Sequence, residues 1–385
     1  MDVWTLAVNV SDVHPPSTRE CSRMKITGVE TFLVEIPQKY PIAPYQSRYR
    51  SSSKKDALLI RLETDDGIVG WGETPQRYFG ERWSKVELGQ LADKLLGRDP
   101  TAISAMAVEW QLDGAHLQSA VEMALWDILG KVCKQPLYRL LGGLYREEVE
   151  LACCMGIRPV AEVREIAKLY VEKGFGTLKI KAGRDPEEDL AAARTIRDAV
   201  GDQLQLRIDP NTGYTPDVCL QLARDLEPYN LQYFEQPMAA DLLEDSARIR
   251  GLTSTPLALN ESVTTIEQVR KILELKAAAV LLPDTYQCGG LWACKLISDL
   301  SGSAGVPCVM HCSHDLGLKT AAMLHLVAAS PNFSMANDCT YFGLDDDIID
   351  EPFQIQQGKL KVPHGHGLGI KVDLKKVRKY QVPGP

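Results

Sequence analysis

Two lysines and three carboxylates stand at the ends of short apolar segments in the middle of the chain. The segment Thr177–Gly183 carries Lys179 and Lys181. If this segment is a strand, the alternation of its side chains places both lysines on one face. The next three apolar segments end on the acidic residues Asp209, Glu235 and Glu261. These three positions are evenly spaced, 26 residues apart.

Even spacing of strand-like and helix-like segments is typical of successive βα units in a parallel barrel. The carboxyl ends of such strands meet at one rim, so we expect the three carboxylates to converge there. A single acidic residue at a strand end is more commonly a helix cap or a salt-bridge partner, but three at one interval favour a metal site. Oxygen ligands with open positions for water or substrate suit Mg²⁺. The sequence therefore predicts a Mg²⁺ cofactor bound by Asp209, Glu235 and Glu261.

Two later segments provide a possible proton-transfer pair. Ala279–Asp284 ends on an aspartate, and Val306–His311 ends on a histidine. A carboxylate on one strand end can orient an imidazole on the next and raise its pKa. A lone barrel histidine is more often structural, but the neighbouring aspartate favours a catalytic His311. His314 lies three residues further on, where we expect the next helix to begin, and the choice between the two histidines stays open.

Composition excludes several classes of partner. The formal net charge of -8 argues against nucleic acid, since a phosphate-binding surface is normally basic. A locally positive pocket for an acidic small molecule remains compatible with that charge. The apolar stretch Val3–Val10 is too short to span a membrane and lacks the flanks of a secretory signal. The 10 cysteines follow neither zinc-finger nor secreted-scaffold spacing, which indicates free thiols in a reducing, cytoplasmic compartment.

The pattern of apolar residues predicts an α/β protein with two parts. Strand-like segments at 25–37, 57–64 and 68–72 suggest an antiparallel sheet, because a tight Asp-Asp-Gly turn joins the last two. Helical periodicity follows at 84–97 and 117–131. A strand-like segment at 358–363 is expected to pair with this sheet. We predict a loose extension at 1–23, an α+β cap at 24–145, a (β/α) barrel at 146–345, and a tail at 346–385 that returns to the cap.

The loop Lys39–Arg50 is rich in Pro, Tyr and Arg, and it fits neither a helix nor a strand. Long irregular loops in compact domains are frequently functional, although a flexible connector is the simpler alternative. We predict that Tyr45 and Arg48, with Tyr49 beside them, bind the substrate.

Taken together, these motifs resemble the enolase superfamily, and in particular its mandelate racemase subgroup. The resemblance extends from about Met24 to the C-terminus. The muconate-lactonizing subgroup is similar over most of this length, but it would have a lysine in place of Asp284. The motifs that carry the resemblance are Lys179-x-Lys181, Asp209, Glu235, Glu261, Pro283-Asp284 with Gly289-Gly290, His311, Ala124–Asp127, Leu140–Gly143 and Gly365–Gly369.

The resemblance implies a TIM-type barrel of the (β/α)7β kind, with an N-terminal α+β cap. Members of the family bind a carboxylate substrate to Mg²⁺, remove the proton α to the carboxylate and stabilise the resulting enediolate. Lys181 is then the base, and Lys179 lowers the pKa of Lys181 by like-charge repulsion and helps to hold the carboxylate. His311, oriented by Asp284, is the second acid or base.

The expected reaction is dehydration of a sugar acid or a related hydroxy acid to a 2-keto acid. The segment His311–Lys319 is similar in layout to the histidine segment of acid-sugar dehydratases, and the polar loop suits a polyhydroxylated ligand. The subgroup's usual glutamate at the end of strand eight is replaced by Asn337-Asp338, which disfavours a mandelate-like proton donor. Asn211 and Asp338 are predicted as further substrate-binding residues.

Two alternatives stay open. A racemase or epimerase would use the same intermediate and return the proton to the opposite face. A degenerate sugar-acid-binding scaffold would bind the acid without turnover, but the complete set of predicted metal and base residues argues against it. The predicted partner is a small-molecule carboxylate, with no nucleic acid and no membrane, and we expect a homo-oligomer.

Overall fold

The computed structural model describes residues 23–76, 83–110, 112 and 114–383, so nearly all of the predicted extension lies outside the described residues. The strands are β1 (Ile26–Pro37), β2 (Tyr45–Gln46), β3 (Ser51–Ser52), β4 (Lys54–Thr64), β5 (Val69–Pro75), β6 (Glu148–Met155), β7 (Thr177–Lys181), β8 (Gln205–Asp209), β9 (Leu231–Glu235), β10 (Leu257–Leu259), β11 (Val280–Leu281), β12 (Asn337–Cys339) and β13 (Lys359–Lys361). The α-helices are α1 (Lys85–Leu95), α2 (Ile103–Glu109), α3 (Gly114–Val132), α4 (Leu137–Leu140), α5 (Val160–Glu172), α6 (Pro186–Val200), α7 (Pro216–Asp225), α8 (Leu243–Arg250), α9 (Ile266–Leu275), α10 (Thr285–Cys288), α11 (Leu291–Ser303), α12 (Gly317–Ala329) and α13 (Leu374–Tyr380).

The N-terminal part is a three-stranded antiparallel sheet in the order β1-β4-β5, with α3 packed on β5. Close packing depends on glycine, because a Cβ at Gly72 would lie 1.8 Å from the carbonyl oxygen of Ala120. Helix α1 begins with a capping box between Ser84 and Glu87. The predicted α+β architecture of this part is confirmed.

The central part is a curled parallel sheet in the order β11-β10-β9-β8-β7-β6-β12. The remaining strand position is filled by residues 306–311. On one side, Cys308 makes a parallel bridge to Leu281, and on the other side Asp338 donates its N–H to Met310 O at 3.1 Å. The helices α5, α6, α7, α8, α9, α11 and α12 alternate with these strands. The predicted TIM-type barrel of the (β/α)7β kind is therefore confirmed.

The tail differs from the prediction in its first pairing. Strand β13 pairs antiparallel with Glu148–Glu150 of the barrel strand β6, and not with the cap sheet. The reason is that β6 extends beyond its pairing with β12, which begins at Leu151, and so offers a free edge. The tail reaches the cap after β13, where Leu368 donates its N–H to Asp127 Oδ1 at 2.9 Å and, further on, Val382 donates its N–H to Leu33 O at 2.9 Å.

Two buried carboxylates of the cap cover the starts of barrel helices. Glu73 accepts the N–H groups of Leu316 and Lys319 at 2.7 and 2.9 Å, at the beginning of α12. Glu122 accepts those of Leu291 and Trp292 at 2.5 and 2.8 Å, at the beginning of α11. Helix N-termini attract anions, so both contacts join the cap to the barrel. Burial nevertheless raises the pKa of each carboxyl to about 7.

The raised pKa of Glu122 predicts a pH dependence of stability. A group whose pKa is raised on folding adds stability that is complete below its unfolded pKa and is lost as the pH rises through about 7. Relative to Glu122→Gln, the wild type should lose on the order of 3 kcal/mol of unfolding free energy between pH 5 and pH 8. Urea unfolding of both proteins across this range measures the difference. Glu165→Gln at an exposed position is the matched control, and parallel curves for wild type and Glu122→Gln would contradict the assignment.

Candidate active site

A cavity of about 710 Å³ lies at the carboxyl ends of the barrel strands, under the loop 39–50. Most of the predicted site residues in the wall of this cavity come from the barrel. The loop contributes Tyr45, Tyr49 and Arg50. The barrel residues in the wall include Lys179, Lys181, Asn211, Glu261, His311 and Asp338. The structure therefore brings residues from distant parts of the chain to one cavity.

The side chain of Lys179 lies among three buried carboxylates. Its Nζ donates to Glu235 Oε1 at 2.6 Å and to Asp338 Oδ2 at 2.8 Å, and it lies 3.3 Å from Asp209 Oδ2. Arg207 approaches Asp338 from the other side, at 3.1 Å. Burial of so many charges is tolerated because each one has a partner.

A carboxylate changes the balance of charge between the two lysines. Lys181 donates to Asp209. Burial lowers the pKa of Lys181, and Lys179 also lowers it, but the Asp209 carboxylate outweighs both and the pKa is raised. The predicted lowering by Lys179 is present, but the prediction did not count the carboxylate in contact, which outweighs it. Burial raises the pKa of Asp209, but the two lysines outweigh it and lower that pKa.

The predicted metal ligands fit a cation, although they do not form one tight group. Glu235 Oε2 and Glu261 Oε2 are buried and have no hydrogen-bond partner among the described residues. Asn211 Nδ2 donates to the other oxygen of Glu261 at 3.1 Å. The group whose potential ligand atoms lie within 4.8 Å of one another is Glu235, His311 and Asp338, so Asp338 lies beside a predicted metal ligand. Two buried carboxylate oxygens without donors match the preference of Mg²⁺ for oxygen ligands.

The structure distinguishes the two histidines. His311 Nδ1 lies 2.9 Å from Asp284 Oδ2, which also accepts from Ser313 Oγ at 3.1 Å. His314 has no carboxylate partner among the described residues and lies 3.0 Å from the side chain of Gln38. It does not begin the next helix, since α12 begins at Gly317. The expected aspartate–histidine pair is thus Asp284 with His311, while the catalytic roles remain predictions.

Sequence reasoning missed two buried cations that pair with carboxylates of the site. Lys319 Nζ lies 2.7 Å from Asp284 Oδ1 and 2.8 Å from Asp315 Oδ1, so Asp284 is held between Lys319 and His311. A local signal for Lys319 was its position four residues after Asp315, in the first turn of α12. Arg207 could have been found by strand alternation, because it shares a face of β8 with Asp209.

Some loop residues line the cavity, others fasten the loop, and Tyr49 does both. Tyr49 OH donates to Asn211 O at 2.8 Å, and Arg48 Nη1 donates to Thr212 O at 3.3 Å. Arg48, predicted to bind the substrate, is exposed and does not belong to the cavity wall, whereas Arg50 does. The two contacts attach the cap loop to the turn that follows β8.

A barrel of this topology with lysines on its second strand, carboxylates on the next three and an aspartate–histidine pair defines an enolase-type protein. Residues 161–377 match the family model described as "Enolase C-terminal domain-like". Residues 29–142 match the N-terminal domain of the "Mandelate racemase / muconate lactonizing enzyme" family. The chain belongs to this family of the enolase superfamily, which confirms the resemblance seen in the sequence.

Relatives with different activities are similar to comparable degrees. An N-succinylamino acid racemase from Thermus thermophilus is 30% identical, covering 91% of this chain and 96% of that protein. A D-gluconate dehydratase from Thermoproteus tenax is 28% identical, covering 98% and 81%. The structure of a muconate lactonizing enzyme from Pseudomonas fluorescens in complex with muconolactone superposes with a TM-score of 0.87 at 26% identity, covering 94% of this chain and 100% of that one.

Members of the enolase superfamily share general properties that bear on this site. Enolase superfamily members are enzymes that bind Mg²⁺ and small carboxylate substrates, and the buried group of Glu235, His311 and Asp338 is compatible with a cation. The helices among the described residues are all too short or too polar to cross a bilayer.

The position of Lys319 predicts a large effect on stability. In Lys319→Met the buried carboxylates of Asp284 and Asp315 lose their shared cation, which should lower the unfolding free energy by about 3–5 kcal/mol. Lys168→Met is the control, because that lysine is exposed and pairs only loosely with Glu165 at 3.5 Å. Denaturant unfolding measures both, and equal small changes would show that the buried contacts contribute little.

Proposed function

We propose that this protein is a racemase or epimerase of a small carboxylate substrate, and that it moves the α-proton between two acid–base groups. Lys181 ends β7, and His311 ends the strand position at 306–311. Strands β6 and β12 lie between these positions, and both side chains line the same cavity. This placement of two proton-transfer groups on separate walls is the observation that carries the proposal.

The predicted metal ligands complete the site. Asp209, Glu235 and Glu261 would hold Mg²⁺, since two of them present buried oxygens without hydrogen-bond donors among the described residues. When bound there, Mg²⁺ supplies the positive charge that stabilises the negative charge developing on the substrate carboxylate. Lys179 lies at the base of the cavity and contributes a further positive charge near that carboxylate.

Each acid–base group has a defined task. The Asp209 carboxylate raises the pKa of Lys181 and would do so less once it holds a cation, so that the neutral form of Lys181 becomes available. Neutral Lys181 removes the α-proton from one face of the substrate, and the resulting ammonium keeps it. The imidazolium of His311 delivers a proton to the other face, while Asp284 holds the ring by its Nδ1 and leaves Nε2 for the transfer. The reverse reaction exchanges the two roles. Lys319 on the other oxygen of Asp284 keeps that carboxylate in place.

Dehydration is the second candidate. It is favoured by the hydrogen-bonding groups in the cavity wall, which include Asn211, Thr212, Asn260, Gln287 and Thr340 and suit several hydroxyl groups. The similarity to a D-gluconate dehydratase supports the same view. The first removal of the α-proton is common to both reactions. They differ in the next step. In racemisation the α-carbon is reprotonated, whereas in dehydration a β-hydroxyl leaves as water and the resulting enol becomes a 2-keto acid by protonation of the β-carbon.

Isotope exchange tests the proposal. A library of N-acylated amino acids and sugar acids is incubated with the protein and Mg²⁺ in D₂O, and loss of the α-proton signal is followed by ¹H NMR. With a racemase substrate, Lys181→Ala should abolish racemisation and exchange from one antipode, while His311→Asn should abolish racemisation and exchange from the other. The rate of exchange from the affected antipode should fall by roughly a hundredfold or more, as expected for removal of a general base.

Matched controls are Lys168→Ala and His366→Asn, which are exposed and remote from the cavity. Both should retain exchange from each antipode. A 2-keto acid trapped by semicarbazide would instead identify dehydration. Binding of acids without any exchange would indicate a binding scaffold, and exchange that survives in both variants would remove Lys181 and His311 as the acid–base groups.

A further inference from the structure

His314 lies where the cap loop meets the barrel, and its proton position follows from one contact. Its Nδ1 is 3.0 Å from Nε2 of Gln38. An amide NH₂ group can donate a hydrogen bond but cannot accept one, so Nδ1 must be the acceptor. In the neutral ring the proton is therefore on Nε2.

The surroundings of His314 keep its ring uncharged. Burial lowers the pKa of His314 well below its usual range, and the neighbouring Lys55, Arg50, Lys181 and His311 lower it further. The described residues place no carboxylate in contact with the ring. The Nε2–H group of His314 is therefore the hydrogen-bond donor of a neutral imidazole. The ring of His311, in contrast, is paired with a carboxylate.

The ring is held in place but is not fully enclosed. Tyr45 meets it edge-on, with ring centroids 4.1 Å apart and planes at 82°. The backbone of His314 has φ of 62°, in the left-handed region that few residues adopt without a local reason. The side chain lines the cavity, and the described residues provide no hydrogen-bond partner for its Nε2. The Nε2–H group of His314 is thus held at the cap side of the cavity, and the described residues provide no acceptor for it.

We propose that His314 Nε2–H binds a substrate oxygen distant from the reacting carboxylate, and that the substrate carries there a hydroxyl, carbonyl or carboxylate oxygen and not an ammonium group. This inference rests on the proposed function for the binding of a carboxylate in the cavity. The charges around the site support it. Arg50 and Lys55 disfavour a second cation near His314. The acidic residues of the cavity wall are Glu261 and Asp338. Glu261 already accepts a hydrogen bond from Asn211, and Asp338 already contacts Lys179 and Arg207.

The tautomer can be measured without any substrate. In protein labelled with ¹⁵N-histidine, His314 should show a protonated Nε2 and an unprotonated Nδ1 at pH 7, with its signals assigned by their loss in His314→Asn. Asparagine is chosen because it tolerates the left-handed backbone. Gln38→Glu replaces the donor by an acceptor and should move the proton to Nδ1, whereas the exposed Gln354→Glu should change nothing. A wild-type His314 with a protonated Nδ1, or a charged ring, would overturn the proposal.

The substrate class is tested with two matched pairs of probes in the D₂O assay. D-gluconate is compared with 6-amino-6-deoxy-D-gluconate, and N-acetyl-L-glutamine with N-acetyl-L-lysine. In a pair that reacts, the probe with the distal oxygen should exchange at least roughly tenfold faster at low concentration, the value of about one hydrogen bond. His314→Asn should remove most of this preference and raise KM more than it lowers kcat. Equal or faster exchange of the ammonium probe would refute the proposal.

Failure of the proposed function would look different. If none of the four probes exchanges, binding decides the role of His314 independently of turnover. Adding D-gluconate in the presence of Mg²⁺ should shift the His314 Nε2 resonance, and its 6-amino analogue at equal concentration should leave it unchanged. A shift with the amino analogue, or with neither probe, would count against a distal oxygen acceptor.

Discussion

The buried ammonium of Lys179 is the interaction on which the rest of the site depends. A charge without solvent is tolerated only where opposite charges and hydrogen bonds surround it. Its partners Glu235, Asp338 and Asp209 lie on β9, β12 and β8, so strands from both sides of β7 meet at one cation. The acidic groups at this rim of the barrel therefore gather around one ammonium group. Any divalent cation at Asp209 and Glu235 must share these carboxylates with Lys179 and Lys181.

A second series of contacts joins the cap sheet to the other side of the cavity. Glu73 of β5 accepts the first N–H groups of α12, and that helix carries Lys319. Lys319 holds one oxygen of Asp284, and His311 is bonded to the other. The orientation of His311 therefore depends on a helix whose start is fixed by the cap. This arrangement explains why a buried, energetically unfavourable carboxylate is placed between the two parts of the protein.

The residues that sequence reasoning identified share a local signal. Asp209, Glu235 and Glu261 recur at one interval after apolar strands, and strand alternation alone pairs Lys179 with Lys181. Lys319 and Glu73 lacked such a signal, because the contact between them spans most of the chain and no periodicity records it. The prediction for the pKa of Lys181 was incomplete for a related reason. Its value depends on a contact with Asp209, whereas the sequence shows only the neighbouring lysine.

Racemisation and dehydration place the same demands on the base of the cavity, and this explains why the barrel residues alone do not separate them. Removal of an α-proton requires a base, a second acid–base group and positive charge near the carboxylate, and Lys181, His311 and the predicted metal ligands serve a racemase and a dehydratase equally well. The distinction must then arise where the remainder of the substrate lies, against the cap loop and His314. Tyr45 and Gln38, both from the cap, set the plane and the tautomer of that histidine. On the proposed function, the barrel would supply the groups that remove the proton, and the cap would determine which molecule presents it.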